Sequence, residues 1–251
     1  MKENKTITAS IVLYNEDSNE LSKTIASFLK VPLSKRLFLI DNSSTNKLKD
    51  KFNHSDIEYI HNTKNVGFGA GHNMVLDSIK KTGPYHLVLN PDVIFNPDVI
   101  PNLIKILEKE QDLAMISPKI VFPNREHQYS CRRYPTFFEL IFRWLGIKNN
   151  TVKNGIYKDK DLTKPFYPEF IQGSFMLFKT EDFIDLNGFD ERYFLYMEDV
   201  DICKKIDSMG KKKMYYPKEQ IGHVLKKGSS KNIKLFFIHL SSMLKYFRKW
   251  A

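Results

Sequence analysis

Between residues 7 and 110, short apolar runs that each end in a polar cluster alternate with segments of helical periodicity. The first, Ile7-Thr8-Ala9-Ser10-Ile11-Val12-Leu13-Tyr14, stops at Asn15-Glu16-Asp17-Ser18, and the second, Leu37-Phe38-Leu39-Ile40, stops at Asp41-Asn42-Ser43-Ser44. Ile57-Glu58-Tyr59-Ile60 is the third, and His86-Leu87-Val88-Leu89 ends at Asn90-Pro91-Asp92. Runs this short and apolar read as strands, those without polar alternation being buried on both faces. Between them, Leu21, Ile25, Phe28 and Leu29 recur at helical spacing before Pro32, and further helices are expected near residues 72–81 and 98–110. The alternation predicts an α/β fold with a mainly parallel sheet covered by helices on both faces. Such sheets place ligands beyond the carboxyl ends of their strands, so Asn15, Asp41, Asn90 and Asp92 are expected to share one crevice. From Phe122 to about Pro168 the pattern lapses into Pro, Asn, Lys and aromatic residues, which reads as an insertion over the crevice. Regularity returns with a strand at Ser174-Phe175-Met176-Leu177-Phe178 and a helix near 198–209.

The chain has 251 residues and 42% hydrophobic composition, enough for a substantial core. Lys2, Glu3, Asn4 and Lys5 do not open a signal peptide, and no run approaches the roughly 18 apolar residues of a spanning helix. The expected location is the cytoplasm. Cys131 and Cys203 have no metal-type spacing and suit a reducing compartment, with no disulfide required. The charge is unevenly spread: residues 201–251 hold 13 Lys/Arg against Asp201, Asp207 and Glu219, which accounts for the entire formal charge of +10. Such a block attracts an anionic partner. Near its end, Ile233, Phe236, Leu240, Met243, Phe247 and Trp250 form one face of a helix, with Lys234, Ser241, Lys245 and Arg248 on another. This basic amphipathic helix suits the anionic inner face of a membrane, or packs on the domain as an ordinary helix. Nucleic acid is not expected, because no binding module accompanies the charge.

The chemical motifs each have a structural alternative. Asn90-Pro91-Asp92 sets a carboxylate beside a second oxygen ligand at a strand end, where Mg²⁺ or Mn²⁺ can be held against a diphosphate, but Asn-Pro and Pro-Asp also start turns. Gly67-Phe68-Gly69-Ala70-Gly71 lacks the last glycine of a dinucleotide fingerprint and follows the third strand, so it points to close backbone approach to phosphate or ribose rather than to a nicotinamide. Glu198, Asp199 and Asp201 fall in a first helical turn, where acids are favoured electrostatically. They also follow the aromatic run Tyr193-Phe194-Leu195-Tyr196, against which a carboxylate can act as a general base. His223 is a structural histidine or a ligand, and Lys226 and Lys227 with the following Gly-Ser turn suit an anion-binding loop.

Taken in order, Thr8–Asn15, Ile40–Ser44, Asn65-Val66-Gly67 through Asn73, Leu89–Asp92, Gln172-Gly173-Ser174, Gly188-Phe189-Asp190-Glu191 and Glu198–Asp201 resemble family 2 glycosyltransferases of the GT-A, Rossmann-like fold. Within that family the chain is most similar to bacterial rhamnosyltransferase-like enzymes of surface polysaccharide synthesis. The resemblance implies a catalytic domain over residues 1–230 followed by the amphipathic helix at 231–251. It further implies that Asn15, Asp41, Asn65, Gly67, Asn90 and Asp92 line the nucleotide and donor site. Asp92 and His223 would bind the metal. Gln172, Gly173 and Glu198 would border the donor sugar and acceptor, and Asp199 would be the catalytic base of an inverting, single-displacement transfer. The implied donor is a nucleotide sugar, dTDP-L-rhamnose first and UDP-hexoses second, and the implied acceptor is a glycan or lipid-linked glycan. A non-catalytic module binding an anionic lipid or polymer through residues 201–251 is the reading from another class. A nucleotidyltransferase is disfavoured because Tyr14-Asn15-Glu16-Asp17 stands where that class carries a Gly-rich basic loop.

Overall fold

The computed structural model describes residues 6–144, 146–147, 155–224 and 233–251. The predicted alternation appears as β1 (Thr6–Leu13), α1 (Ser18–Leu29), β2 (Ser34–Asp41), β3 (Ile57–His61), α2 (Phe68–Asn73), α3 (Leu76–Thr82), β4 (Tyr85–Leu89), β5 (Val93–Phe95) and α4 (Val99–Lys109). Then follow β6 (Leu113–Val121), β7 (Cys131–Arg132), α5 (Phe137–Trp144), β8 (Phe170–Ile171), β9 (Phe175–Lys179), α6 (Thr180–Asp185), α7 (Glu198–Ser208), β10 (Lys212–His223) and α8 (Ile233–Trp250).

Eight strands form one sheet in the order β3-β2-β1-β4-β9-β6-β10-β5. β1 pairs in parallel with β2 and β4, β2 with β3, and β6 with β10, whereas β9 is antiparallel to both β4 and β6, and β5 to β10. Strand alternation sorts the core into two layers. Ile7, Ala9, Ile11 and Leu13 face the helices α1 and α4, packing with Leu21, Ile25, Phe28, Leu103 and Leu107. On the other side, Phe38, Ile40, Val88, Met176 and Phe178 meet α3, α6, α7 and α8 through Ile79, Phe183, Ile202, Ile206, Met243 and Tyr246. Asp17 caps α1, accepting from Asn19 N at 2.8 Å and Glu20 N at 3.0 Å, which explains why the helix starts at the polar cluster after β1.

Three sequence expectations are corrected. The helix expected near 72–81 is two helices, α2 and α3, and the glycine run is itself helical from Phe68. Gly71 is required there by packing: a Cβ would lie 2.7 Å from the Val12 side chain. β6 and β10 went unread, since Pro118 and a lysine-rich composition argue against strands. A register shift between Tyr216 and Gln220, opposite Pro118 and Lys119, absorbs the irregularity. Third, residues 122–168 carry structure of their own: the short β7 pairs antiparallel with β8, and α5 lies within the segment.

The amphipathic helix at the C-terminus packs on the domain, with Ser242, Met243 and Tyr246 buried. No helix among the described residues is long and apolar enough to cross a membrane. Cys131 and Cys203 are both buried free thiols, and burial pushes each thiol up, away from the reactive thiolate.

Candidate active site

Strand order reverses between β1 and β4, and a cleft of about 370 Å³ opens at their carboxyl ends. It is lined by Tyr14 and Glu16 after β1, Asn42 after β2, Asn65, Gly67 and Phe68 of the glycine run, Asn90-Pro91-Asp92 after β4, Phe194-Leu195-Tyr196, and His223. A volume of this size suits a small-molecule ligand.

His223 reaches the cleft through topology. β9 runs antiparallel to β4, and β6 antiparallel to β9, so β6 and its parallel neighbour β10 point the same way as β4. The last residue of β10 therefore arrives at the ligand edge, where Val224 N donates to Asp92 O at 3.2 Å. His223 Nε2 lies 3.2 Å from Asp92 Oδ1 and 3.5 Å from Asn90 Nδ2, and both His223 and the Asp92 carboxylate are largely buried. On its far side, His223 Nδ1 is 3.1 Å from Gln128 Oε1. With the proton on Nδ1 donated to that carbonyl, the Nε2 lone pair faces a carboxylate oxygen. Two acceptors that close need a cation or a proton between them, and an imidazole held from behind by a carbonyl is the usual arrangement of a metal-binding histidine. The donor set fits a divalent ion that takes its remaining ligands from a bound diphosphate. Among the described residues no group of three or more His, Cys, Asp or Glu can hold a metal alone.

The side of the cleft formed by the end of β2 and the glycine run is organised around buried hydrogen bonds. Asp41 is fully buried, its Oδ1 accepting from Ser43 N at 2.9 Å and its Oδ2 from the Tyr59 hydroxyl. It supports the strand end, while the neighbouring Asn42 lines the cleft and donates from Nδ2 to Gly67 O at 3.1 Å. Asn65 Oδ1 accepts from Gly67 N at 2.9 Å. Gly67 adopts φ +95°, and a Cβ there would sit 2.2 Å from the Phe194 carbonyl oxygen, so only glycine fits. Asn15 is exposed with φ 55°, its N–H donating to Ser43 Oγ at 2.8 Å, and lies beside the cleft between the lining residues Tyr14 and Glu16.

The third group flanks the cleft. Asp199 Oδ2 accepts from Gly173 N at 3.2 Å and its Oδ1 from Val200 N at 2.8 Å, which fixes the carboxylate's orientation. A Cβ on Gly173 would lie 3.4 Å from the Phe68 ring and 3.5 Å from Asp199 Cβ, so Asp199 stands one residue's width from the cleft wall. Gln172 is held by its N–H donating to Ser130 O at 2.9 Å. Glu198 is buried with Oε2 unpartnered; burial first, then the neighbouring Asp199 charge, pushes its carboxyl well above the usual range. Immediately before α7, Tyr196 and Met197 both take positive φ, 69° and 71°. For non-glycine residues this costs about 1–3 kcal/mol each and persists only where surrounding contacts over-determine it.

The cleft thus gathers Asn65, Gly67, Asn90, Asp92 and His223; Gln172, Gly173, Glu198 and Asp199 form the adjoining group, and Asp41, expected to line the cleft, is instead fully buried at the end of β2 with both carboxylate oxygens taken by Ser43 and Tyr59. Gln128 escaped sequence reasoning altogether, because it lies in the irregular stretch where no periodicity marks it. Lys226 and Lys227 lie outside the described residues.

Residues 8–186 match the model of glycosyl transferase family 2. The chain is 30% identical over 223 residues to rhamnosyltransferase WbbL of Escherichia coli (strain K12), covering 84% of this chain and 81% of that protein. It is 24% identical over 203 residues to the N-acetylglucosaminyl-diphospho-decaprenol L-rhamnosyltransferase of Mycobacterium tuberculosis, covering 74% of this chain and 66% of the relative. The crystal structure of GalNAc-T7 with UDP, GalNAc and Mn²⁺ superposes with a TM-score of 0.67 at 18% identity, over 88% of this chain and 43% of that one, which establishes the GT-A fold. With its family model spanning most of the described sheet, the chain belongs to glycosyl transferase family 2 and is a glycosyltransferase related to rhamnosyltransferases.

Proposed function

We propose that this enzyme transfers a sugar, with inversion, from a nucleotide sugar to a glycan or lipid-linked glycan in surface polysaccharide synthesis. The observation that carries this reading is the nearness of two groups to Phe68: the Asp92–His223 pair lines the cleft with it, and Asp199 accepts from the backbone of Gly173, where a Cβ would lie 3.4 Å from the Phe68 ring. The first suits a departing diphosphate and the second an incoming hydroxyl.

Asn42, Asn65 and the Gly67 backbone hold the nucleoside, with Asn15 and Asp41 framing the strand ends beneath it. Asn90, Asp92 and His223 bind the diphosphate end with Mg²⁺ or Mn²⁺, and the imidazole donor favours Mn²⁺. That ion supplies neutralisation of the charge that grows on the leaving diphosphate. Gln172, Gly173 and Glu198 border the sugar and the acceptor. Asp199 takes the proton of the acceptor hydroxyl as its oxygen attacks the anomeric carbon from the face opposite the leaving group.

The relatives' names favour L-rhamnose as the transferred sugar and a polyprenyl-diphosphate-linked sugar as acceptor, and dTDP-L-rhamnose is the donor we assign to it. A donor screen tests this by reading nucleoside diphosphate release with Mn²⁺ or Mg²⁺ and a lipid-linked acceptor. Release from dTDP-L-rhamnose is expected at least about tenfold faster than from any UDP-hexose, a discrimination of about 1.4 kcal/mol. Release from a UDP-hexose alone would replace the donor assignment.

We further place the enzyme at the cytoplasmic face of the membrane, through the outward side of α8. That side exposes Ile233, Phe237 and Leu244 together with Lys234 and Arg248. The Lys234→Glu, Arg248→Glu double variant is expected to lose co-flotation with anionic vesicles and keep its activity on a soluble acceptor. Equal flotation with anionic and uncharged vesicles would reject the electrostatic part of this placement.

A further inference from the structure

Several polar contacts of α8 fall on one stretch of chain. Ser242 Oγ donates to Leu195 O at 2.9 Å, and Lys245 Nζ to Arg192 O at 2.6 Å. Lys249 Nζ lies 2.8 Å from both the Asp190 and the Asp201 carboxylates, and Trp250 Nε1 donates to Asp201 Oδ1 at 2.7 Å. The His239 ring packs on Tyr196 with centroids 4.7 Å apart. Asp201 is fully buried, and its remaining polar neighbour is the Tyr193 hydroxyl at 3.2 Å.

These contacts bracket residues 190–201, which form a wall of the cleft through Phe194, Leu195 and Tyr196 and then carry Asp199 into α7. Between the wall and the base lie Tyr196 and Met197, the two consecutive residues of positive φ. Such a turn keeps its shape only while its neighbours impose it. Upstream, Phe194 has a second anchor, since its carbonyl accepts from Phe68 N at 3.0 Å. At the strained turn, α8 supplies the Leu195 carbonyl's hydroxyl donor and the ring against Tyr196, and downstream it grips Asp201, two residues past the base.

We infer that α8 is a clamp on the active-site turn, and that Ser242, Lys249 and Trp250 are positioning residues that aim Asp199 through Leu195 and Asp201. This rests on the reading of Asp199 as the base and adds to it a dependence of catalysis on the last helix. Two of the chain's C-terminal basic residues, Lys245 and Lys249, are thereby bound inward by a backbone carbonyl and by acids. The excess positive charge of the tail is in part the counter-charge of the site's own flank.

The test uses the full chain. Removing Lys249 alone strands a buried carboxylate and risks unfolding, so the informative variants are Trp250→Phe, which keeps an aromatic ring of smaller size and deletes the N–H, and Ser242→Ala, which deletes one hydroxyl. In the double variant kcat is expected to fall about tenfold or more, because misplacing a reacting group by a fraction of its contact distance is costly. The melting temperature and the affinity for nucleoside diphosphate with Mn²⁺ should stay near wild type, since the Phe194–Phe68 anchor remains. Unchanged kcat in the double variant, alongside an inactive Asp199→Asn, overturns the clamp and leaves the base assignment standing. A parallel fall of melting temperature, affinity and kcat overturns it too, showing a role in folding alone. A fully active Asp199→Asn would instead remove the reading on which the clamp rests.

Discussion

Asp199→Asn is expected to lower turnover by about 10²-fold or more while the protein still binds nucleoside diphosphate with near-native affinity. The substitution changes little but proton-accepting capacity. Asp199 accepts two backbone N–H bonds, from Gly173 and Val200, and an amide can keep its carbonyl on one of them. The other bond is lost at a cost of about 1 kcal/mol, tolerable for a folded domain. Neither bond touches the cleft residues proposed to hold the nucleotide, so binding should survive. Calorimetric titration with nucleoside diphosphate, beside turnover at saturating donor, separates the two effects. Wild-type turnover from a folded Asp199→Asn protein would exclude the carboxylate as base. Lost binding would mean that it belongs to the nucleotide site instead.

How much of this was legible in the sequence depends on the distance over which each feature is encoded. β1, β2, β3 and β4 are local, apolar and terminated by polar clusters, and each was readable within a residue or a few. The place of the crevice was legible too, because parallel strands deliver their carboxyl ends to one edge, but of the four residues expected to share it Asn90 and Asp92 line it, while Asp41 is buried and Asn15 stands beside it. β10 was not, since a strand containing Lys212, Lys213, Lys218 and Glu219 has its sense only beside β6. His223 could be suspected from resemblance, yet its meeting with Asp92 depends on the direction of β10, which depends in turn on antiparallel β9. The buried chain Thr8–His86–Ser10–His72 was equally silent. Alternation turns Thr8 and Ser10 away from the aliphatic layer, and burial drives the His86 imidazole down to about 3, so both histidines serve as neutral hydrogen-bonding groups under the glycine-rich helix. The C-terminal helix had two readings from its periodicity, and the partners of Lys249 and Trp250 decide that its inner face belongs to the domain.

Asp92→Ala is expected to abolish the metal dependence of nucleoside diphosphate binding, lowering affinity in Mn²⁺ by about 10²-fold and leaving affinity in EDTA nearly unchanged. Asp92 Oδ1 and His223 Nε2 lie 3.2 Å apart. In the wild-type protein the Asp92 carboxylate and His223, steadied by Gln128, would hold a divalent ion, and a bound diphosphate would supply further oxygen ligands. Removing the carboxylate leaves one imidazole, too little charge to hold a divalent ion against water. The predicted loss corresponds to about 2.7 kcal/mol, within the range for removing a charged partner of a desolvated site. Gln128→Leu supplies the intermediate case. Its side chain no longer orients His223, so metal affinity should fall about tenfold while Asp92 remains in place. Binding measured with Mn²⁺, with Mg²⁺ and with chelator for the three proteins distinguishes the possibilities without reference to turnover. An Asp92→Ala protein that retains its Mn²⁺ enhancement would move the metal elsewhere in the cleft. Equal losses in Mn²⁺ and in EDTA would make Asp92 a structural residue of the turn after β4, the alternative that Asn90-Pro91-Asp92 carries in its own chemistry.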